Sequence, residues 1–362
     1  MHSSTFDTYI DPSLFEKEKN IMKHQFPLYI GHEKLVPNRG DFYVLGHEDD
    51  ARVLIRWEDD RVRLVSNICR HRQATMLSGE GNTKSITCPL HKWNYDTTGW
   101  LKATPQMNLS EWSSQRNSCK WLQEWKIQNW RWLLFLADTD IAQDLENIGY
   151  AQEMDFSDYQ YYRTEYHECQ YNWKTFMEIY GDDYHVVPSH PWLSKMIDCE
   201  TIDWKFGEKW HTQSVESTKN YTSKTTPIYE DWRRVSLTAW GWVFPEYGAI
   251  WFAYYPGLMI EVYPYTITIS SLHPISPEKT LNVVQFFYHN SVDESLVKTE
   301  SEAYIETMIE DDDFGIRLDR WRRALQYLGI QDSGPYHDPL ENGTKHFHEW
   351  YTHNFKISWD HS

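Results

Sequence analysis

The sequence lacks the features that mark membrane-spanning and secreted proteins. Its longest apolar run, Trp132–Ala137, is far too short to cross a bilayer. The N-terminus has no basic start followed by an apolar stretch, so we expect no signal peptide. The five cysteines form no even, regularly spaced set, which argues against a disulfide framework and for a reducing compartment. We therefore expect a cytoplasmic protein.

Basic residues are also scarce. The chain has 35 Lys and Arg against 53 Asp and Glu, and its net charge is -18. Such a charge disfavours binding to a phosphate backbone as the main activity. No glycine-rich motif for a flavin or a nicotinamide nucleotide is evident. We therefore do not expect the chain to take electrons directly from NADH.

Length and composition indicate a globular protein with room for two domains. The chain has 362 residues, of which 40% are hydrophobic and 24% charged. Its 19 Trp and 24 Tyr are unusually many. We expect most of these aromatic side chains in the core and some of them in a pocket.

Sequence periodicity places helices at both ends of the chain and strands between them. Residues 12–24 have helical spacing of apolar residues, and residues 297–329 predict a long helix. From Gly40 onwards β-forming residues alternate with polar turns at 47–50 and 58–60. A helix is predicted from Trp173 to about Val187, strands resume near Trp240, and a C-terminal helix follows a turn at Gly343. The polar stretch 201–235 is predicted to form a flexible cap over the functional site.

Two short Cys/His pairs lie in the β-rich part of the chain. Cys69 and His71 form one pair, and Cys88 and His91 form the other. A Rieske-type [2Fe–2S] cluster needs two thiolates on one iron and two imidazoles on the other. The same four residues could hold a structural zinc ion, although the spacing of the first pair is tighter than usual. Unrelated buried thiols are the third interpretation.

A second set of possible metal ligands follows in the later half. Asp182, His185 and His190 lie close together, and Pro188 is expected to distort the helix between the two histidines. Two imidazoles and one carboxylate with open positions are the ligands of non-haem Fe(II) oxygenases. A pair of structural histidines is the alternative.

Together these residues resemble the Rieske non-haem iron oxygenases, specifically the oxygenase (alpha) component of the aromatic ring-hydroxylating dioxygenase family. The first motif matches at Cys69, His71, Arg72, Cys88, Pro89, His91, Trp93, Tyr95, Asp96 and Gly99. The second motif matches at Asn172, Trp173, Lys174, Asp182, His185 and His190. The resemblance covers nearly the whole chain.

The resemblance implies an α+β fold: an antiparallel β Rieske domain plus a catalytic domain with a curved antiparallel sheet flanked by helices. We assign residues 1–39 to an N-terminal helix and extension packing with the catalytic domain. Residues 40–140 form the Rieske [2Fe-2S] domain, and residues 141–362 form the catalytic mononuclear iron domain.

The resemblance also implies roles for single residues. Cys69, His71, Cys88 and His91 would bind the cluster, while His185, His190 and Asp311 would bind mononuclear Fe(II). The carboxylate ligand should lie far along the chain, where the candidates are Glu310, Asp311, Asp312, Asp313 and Asp319. In the family an Asp that follows an acidic residue lies eight positions before a polar residue, often Gln. Here that residue is Asp319, which points to Asp311 after Glu310, with Asp312 as the alternative. For Asp313 and Asp319 we expect a solvent-exposed helix face.

Asp182 would link the iron site to His91 of a neighbouring subunit, which implies a homotrimer. The function implied is that of a terminal oxygenase. It would use O2 and electrons from a separate NAD(P)H-dependent reductase, with or without a ferredoxin, to hydroxylate an aromatic substrate, as in aromatic hydrocarbon catabolism. The alternative is a monooxygenase or demethylase acting on a quaternary-ammonium or heterocyclic substrate, with which the text GTKHFHEWY agrees loosely. Cys119, Cys169 and Cys199 are not expected to bind metal.

Overall fold

A computed structural model describes residues 6–105, 120–190, 193–218, 226–242, 247–330 and 334–355. The chain divides into two compact units, one formed by Pro27–Ala142 and the other by Met1–Phe26 with Gln143–Ser362. Residues 27–39 thus belong to the β-rich unit rather than to the extension that we assigned to residues 1–39. The reason is that Leu28–His32 pairs with Leu133–Leu136. None of the described helices combines the length and apolar character needed to traverse a bilayer.

The unit 27–142 consists of short antiparallel strands. They form sheets of order β1-β11-β10, β5-β2-β3-β4-β9 and β6-β7-β8. The predicted turns at 47–50 and 58–60 are confirmed, since they connect β2 to β3 and β3 to β4. The strands are β1 (Leu28–His32), β2 (Asp41–Val44), β3 (Arg52–Arg56), β4 (Val62–Ser66), β5 (Glu80–Asn82), β6 (Ile86–Thr87), β7 (Asn94–Tyr95), β8 (Leu101–Ala103), β9 (Glu124–Trp125), β10 (Gln128–Trp130) and β11 (Leu133–Leu136), with a 3-10 turn at Glu33–Leu35.

Two cysteines belong to the hydrophobic core of this unit. Cys69 and Cys88 pack with Trp93, Tyr95 and the buried side chains of β3. Core packing therefore fixes both thiols in position before any ligand is considered.

The other unit is built on one seven-stranded antiparallel sheet, of order β12-β18-β17-β16-β15-β14-β13. This confirms the predicted α+β class. Its strands are β12 (Tyr159–Cys169), β13 (Ile197–Phe206), β14 (Trp210–Ser217), β15 (Ala249–Tyr254), β16 (Leu258–Tyr263), β17 (Thr266–Ser276) and β18 (Lys279–His289). The described helices are Asp7–Ile10, Pro12–Gln25, Trp173–Tyr180, Val186–Ser189, Pro227–Ala239, Glu294–Tyr327 and Asn342–Phe355, with 3-10 turns at Ala151–Glu153 and Leu193–Lys195; the short helix Ile141–Asp144 links the units in sequence.

One face of the sheet centre is covered by helices. Every residue of β15 and β16 is buried, and alternate residues of a strand point to the same face. Ala253 and Met259 on this face pack against the helices Pro12–Gln25, Trp173–Tyr180 and Asn342–Phe355. Further along the same face, Trp251 and Tyr263 pack near the helix Pro227–Ala239.

Several helix boundaries differ from the sequence-based predictions. The predicted N-terminal helix is confirmed at Pro12–Gln25. It begins there because the side chain of Asp11 caps it by accepting the amides of Ser13 and Leu14, at 2.6 and 3.2 Å. The helix predicted from Trp173 to about Val187 ends at Tyr180. The C-terminal helix includes Gly343, which we had placed in a turn before it.

The predicted flexible cap at 201–235 was wrong for the described part of that stretch. It contains the end of β13, all of β14 and the start of the helix Pro227–Ala239. Residues 219–225 lie outside the described residues. The polar outer side of β13, an edge strand, hides its β periodicity in the sequence.

Candidate metal centres

The two Cys/His pairs lie on loops with matching backbones. In the loops Cys69–Gln73 and Cys88–Lys92, the amide of the last residue donates to the cysteine carbonyl at 3.1 Å. Gln73 and Lys92 both have positive φ, at 56° and 58°, which closes each loop. The loops therefore agree in conformation, although the histidine follows the cysteine at different spacings.

These loops bring together two thiols and two imidazoles. Cys69 and Cys88 are each 1% exposed, and burial, with a smaller effect of Cys88, raises the pKa of Cys69. The rings of His71 and His91 lie 4.6 Å apart between centroids. His71 also stacks on Trp93, with the ring planes 9° apart.

This donor set fits a [2Fe–2S] cluster. The thiols are enclosed in the core, while the imidazoles lie nearer the surface. Nδ1 of His71 is buried, and no described residue forms a hydrogen bond with it. The hydroxyl of Tyr95 lies 3.7 Å from Sγ of Cys69 and accepts the amide of Arg70 at 3.0 Å. Hydrogen bonds of this kind orient a ligand and tune its charge.

The second candidate centre lies after the helix Trp173–Tyr180. The chain turns at Gly181 and forms the one-turn helix Val186–Ser189, with His185 and His190 flanking it. Pro188 lies in the first turn of this helix, where no intrahelical amide is required. We had expected Pro188 to distort a continuous helix, but it lies in a separate short helix instead.

Three side chains converge here. Nε2 of His190 lies 2.8 Å from Oδ1 of Asp311 and 3.3 Å from Nε2 of His185. The third edge of the triangle, from His185 to Asp311, measures 3.5 Å. These are the donor atoms of a two-histidine, one-carboxylate site.

Glu310 orients one of these imidazoles. Its Oε2 atom lies 2.7 Å from Nδ1 of His190. By accepting the Nδ1 proton, Glu310 would leave Nε2 of His190 available to bind a metal ion. Glu310 is among the acidic candidates of the sequence and registers Asp311, but we predicted no role for it in orienting His190.

The remaining acidic candidates on this helix contact other groups. Asp312 pairs with His167 at 2.9 Å. Asp313 forms an exposed ion pair with Arg317. The expectation that Asp319 lies on a solvent-exposed face was wrong, because its carboxylate accepts the amide of Asn172 at 2.6 Å.

The site favours positive charge. Burial opposes protonation of both imidazoles, but the neighbouring carboxylates outweigh it and raise the pKa of His185 to about 10. Bonds with Asp311 and Glu310 likewise outweigh burial and raise the pKa of His190. Burial raises the pKa of Asp311, but bonds from the two imidazoles outweigh this and lower it overall. A cation is therefore well accommodated among these groups.

Asp182 and Asp183 differ in exposure. Oδ1 of Asp182 accepts the amides of Tyr184 and His185 at 2.7 and 3.2 Å. Its Oδ2 lies 3.4 Å from Nδ1 of His185, and the side chain is 23% exposed. Asp183 is 3% exposed, and burial raises its pKa to about 8. Only Asp182 thus reaches from the imidazole towards solvent.

The motif Asn172-Trp173-Lys174 anchors the helix that precedes the site. Asn172 caps the helix by accepting the amide of Lys174 at 3.0 Å. Nζ of Lys174 and Nε1 of Trp173 both donate to buried Glu18, at 2.8 and 3.2 Å. This motif therefore connects the helix Trp173–Tyr180 to the helix Pro12–Gln25 through hydrogen bonds and does not contribute metal ligands.

A further group of potential ligands consists of His167, Cys169 and Asp312. Burial raises the pKa of Cys169 to about 12, so the thiol is protonated at neutral pH. Asp312 already pairs with His167. Cys69, Cys88, Cys169 and Cys199 are all free thiols, and the prediction for Cys119 lies outside the described residues.

A cavity adjoins the three converging side chains. It encloses about 940 Å³ of empty space, including open solvent at its mouth. His185, His190 and Asp311 line one part of it. The other lining includes Tyr180, Gln213, Tyr229, Trp232, Trp251, Glu261, Tyr263, Glu300 and Tyr304. Substrate could therefore enter beside the metal ligands.

Family comparison identifies both units. Residues 27–116 match the Rieske [2Fe-2S] domain, and residues 156–356 match the ring hydroxylating alpha subunit (catalytic domain). The chain belongs to the Rieske non-haem iron oxygenases. The first match decides for the iron–sulfur cluster over the zinc alternative, and the second implies mononuclear iron and O2 as co-substrate. The oxygenase is thus an enzyme that incorporates oxygen from O2.

Two curated relatives span almost all of the oxygenase. Putrescine 2-hydroxylase of Ralstonia nicotianae is 43% identical, over 95% of this chain and 93% of the relative. Putrescine 2-hydroxylase of Bordetella bronchiseptica is 39% identical, over 95% of this chain and 82% of the relative. A crystal structure of the quaternary ammonium Rieske monooxygenase CntA shares the fold. Its TM-score is 0.77 at 20% identity, over 98% of this chain and 95% of that one.

Proposed function

We propose that the oxygenase is a monooxygenase that hydroxylates a small aliphatic amine of the putrescine type. The observation that carries the proposal is the pair of putrescine 2-hydroxylases, which are 43% and 39% identical to this chain over 95% of its length. The acidic, aromatic-lined cavity supports it, since carboxylates and aromatic faces both attract ammonium groups.

In this proposal the reaction consumes one O2, two electrons and two protons. One oxygen atom enters a C–H bond of the amine to give an alcohol, and the other leaves as water. The mononuclear iron, when bound by His185, His190 and Asp311, would supply the site of O2 activation. The electrons would come from an NAD(P)H-dependent reductase, with or without a ferredoxin, by way of the cluster bound by Cys69, His71, Cys88 and His91.

We further propose that Asp182 links neighbouring subunits. Its outward position beside Nδ1 of His185 would let it accept a hydrogen bond from His91 of a second copy in a homotrimer. Replacing it in Asp182→Ala is expected to leave iron and sulfide contents unchanged while abolishing turnover. Full activity of this variant would reject the bridging role.

An aromatic substrate and dioxygenation have less support. Both followed from the resemblance to ring-hydroxylating dioxygenases, whereas the 43% and 39% identical relatives hydroxylate an amine. Quaternary-ammonium oxidation is the second candidate, because an acidic cavity with aromatic walls would also suit a permanently charged nitrogen.

Product analysis with isotopically labelled O2 tests the proposal. The reconstituted oxygenase, a reductase and NADH would be incubated with putrescine, choline or naphthalene. We expect putrescine to gain one labelled oxygen atom, with one O2 consumed per product. If naphthalene gave a labelled diol and putrescine gave no labelled product, the proposal would be overturned. Oxidation of choline alone would favour the second candidate.

A further inference from the structure

The catalytic cavity has more acidic groups than the metal site uses. Its described lining includes no lysine or arginine, and its carboxyl groups are those of Asp182, Asp183, Glu261, Glu300 and Asp311. Glu261 and Glu300 are each 5% exposed. Buried carboxylates are uncommon unless a cation accompanies them. These two are therefore candidates for contact with a cationic ligand.

Glu261 is held in a fixed orientation. The hydroxyl of Tyr263 donates to its Oε2 at 2.6 Å, and that of Tyr304 donates to its Oε1 at 2.8 Å. Burial nevertheless raises the pKa of Glu261 to about 7. The phenols position the carboxyl group but do not neutralise it. A positive charge beside Glu261 would do so.

Glu300 lies on the helix that carries Asp311. Glu300, Tyr304, Thr307 and Asp311 recur every three or four residues and all line the cavity. At 1.5 Å per residue, Tyr304 lies about 10 Å and Glu300 about 16 Å from Asp311 along the helix axis. Burial raises the pKa of Glu300 to about 8. Glu300 thus lies one helical turn further from Asp311 than Tyr304, whose hydroxyl donates to Glu261.

An independent acceptor points to a donor ligand. Gln213 lines the cavity and is only 2% exposed, and no described residue donates a hydrogen bond to its Oε1 atom. A buried acceptor without a donor is costly. Trp232 and Trp251 add aromatic surface to the same cavity. Strand register places Gln213 and Glu261 on either side of Trp251. An ammonium group is a donor that suits an amide oxygen, a carboxylate and an aromatic face.

We propose that Glu261 binds the ammonium group remote from the oxidised carbon of a diamine substrate, with Gln213 as a second acceptor. Glu300, one helical turn further from Asp311 than Tyr304, binds that group in longer diamines. This assignment rests on the proposed amine hydroxylation. It makes Glu261 and Glu300 determinants of chain-length specificity rather than members of the metal site.

Binding and turnover of four proteins test the assignment: wild type, Glu261→Gln, Glu300→Gln and the control Glu302→Gln. Glu302 is exposed on the same helix, so its substitution changes the charge equally. Calorimetry under anaerobic conditions would measure Kd for putrescine, cadaverine and butylamine. Loss of a charged hydrogen bond should weaken putrescine binding to Glu261→Gln about 10- to 100-fold. Butylamine binding should change little, because it lacks the second ammonium group.

Glu300→Gln should weaken cadaverine binding more than putrescine binding, and Glu302→Gln should match wild type. Unchanged putrescine affinity in folded Glu261→Gln protein would overturn the assignment, even if wild type oxidises putrescine. If no amine is bound or oxidised by wild type, the proposed function itself fails. Should Glu261→Gln not fold, Tyr304→Phe provides the test, because it removes one hydroxyl that positions Glu261. Unchanged putrescine affinity in that variant would then count against the assignment.

Discussion

At the scale of single residues, four consecutive acids at 310–313 have four different surroundings. Glu310 contacts one nitrogen of His190, and Asp311 contacts the other. Asp312 points to His167 and Asp313 to Arg317. Sequence spacing could register this stretch only to within one residue, because a run of acids offers no internal landmark. The side-chain directions distinguish them.

Removing Asp311 should therefore release the mononuclear iron selectively. We expect Asp311→Ala to lose roughly one iron per chain and to retain its acid-labile sulfide, because only one of the two metal sites loses a ligand. Asp312→Ala should keep both metals. Iron and sulfide assays would check this, and iron loss in Asp312→Ala but not in Asp311→Ala would shift the assignment by one residue.

Burial of Glu261 should make stability fall as the pH rises. The ordinary pKa of 4.5 rises to about 7, chiefly through burial. The folded protein then keeps a proton that the unfolded chain has lost, so the free energy of unfolding declines with pH until Glu261 ionises. Asp311 faces the same cavity and its negative charge raises the pKa of Glu261 further, while the hydroxyls of Tyr263 and Tyr304 stay neutral.

Glu261→Gln lacks this proton and should lack this decline. Between about pH 5 and about pH 8, wild type should lose about 3 kcal/mol relative to the variant. Urea unfolding of both full-length proteins at equal metal content would measure the difference. If the free energies of unfolding of the two proteins changed in parallel with pH, Glu261 would be ionised throughout this range and its pKa would not be raised by burial.

At the scale of elements, sequence periodicity predicted the ends of the chain best. The helices Pro12–Gln25 and Glu294–Tyr327 were each predicted to within a few residues, because capping and periodic apolar residues mark them. The break at Gly181 and the strands β13 and β14 were missed. Their boundaries depend on tertiary contacts, such as the close approach of Gly181 and Thr344, which the local sequence does not encode.

The position of the helix Glu294–Tyr327 depends on a glycine. A Cβ atom at Gly315 would lie 2.5 Å from the ring of Tyr171, a distance that requires a shift of the helix or the ring. Asp311 lies one turn away on the same helix. We expect Gly315→Ala to lower mononuclear iron content and turnover severalfold, because the helix must move away from its neighbours.

The exposed change Arg317→Ala on the same helix serves as the control, since 66% of that side chain is exposed. It should retain the iron content of wild type. Equal iron contents in Gly315→Ala, Arg317→Ala and wild type would show that the helix tolerates the added methyl group without moving Asp311.

At the scale of the whole molecule, the chemistry was more predictable than the substrate. The grouping of Cys69, His71, Cys88 and His91 could be predicted from the sequence, because metal ligands are restricted to few residue types, and the structure brings the two loops together. Glu261 could not, although it is the one acidic residue of an otherwise apolar strand, LMIEVY. Its position in the cavity becomes apparent only in the folded structure, where the sheet and the helix Glu294–Tyr327 both line that cavity.

The central claim is that one chain carries both a Rieske cluster and a mononuclear iron. Iron and acid-labile sulfide analysis of anaerobically prepared, full-length protein tests it most directly. We expect about three irons and about two sulfides per chain, since a [2Fe–2S] cluster contributes two of each. Well-folded protein that contains iron but no labile sulfide would contradict it.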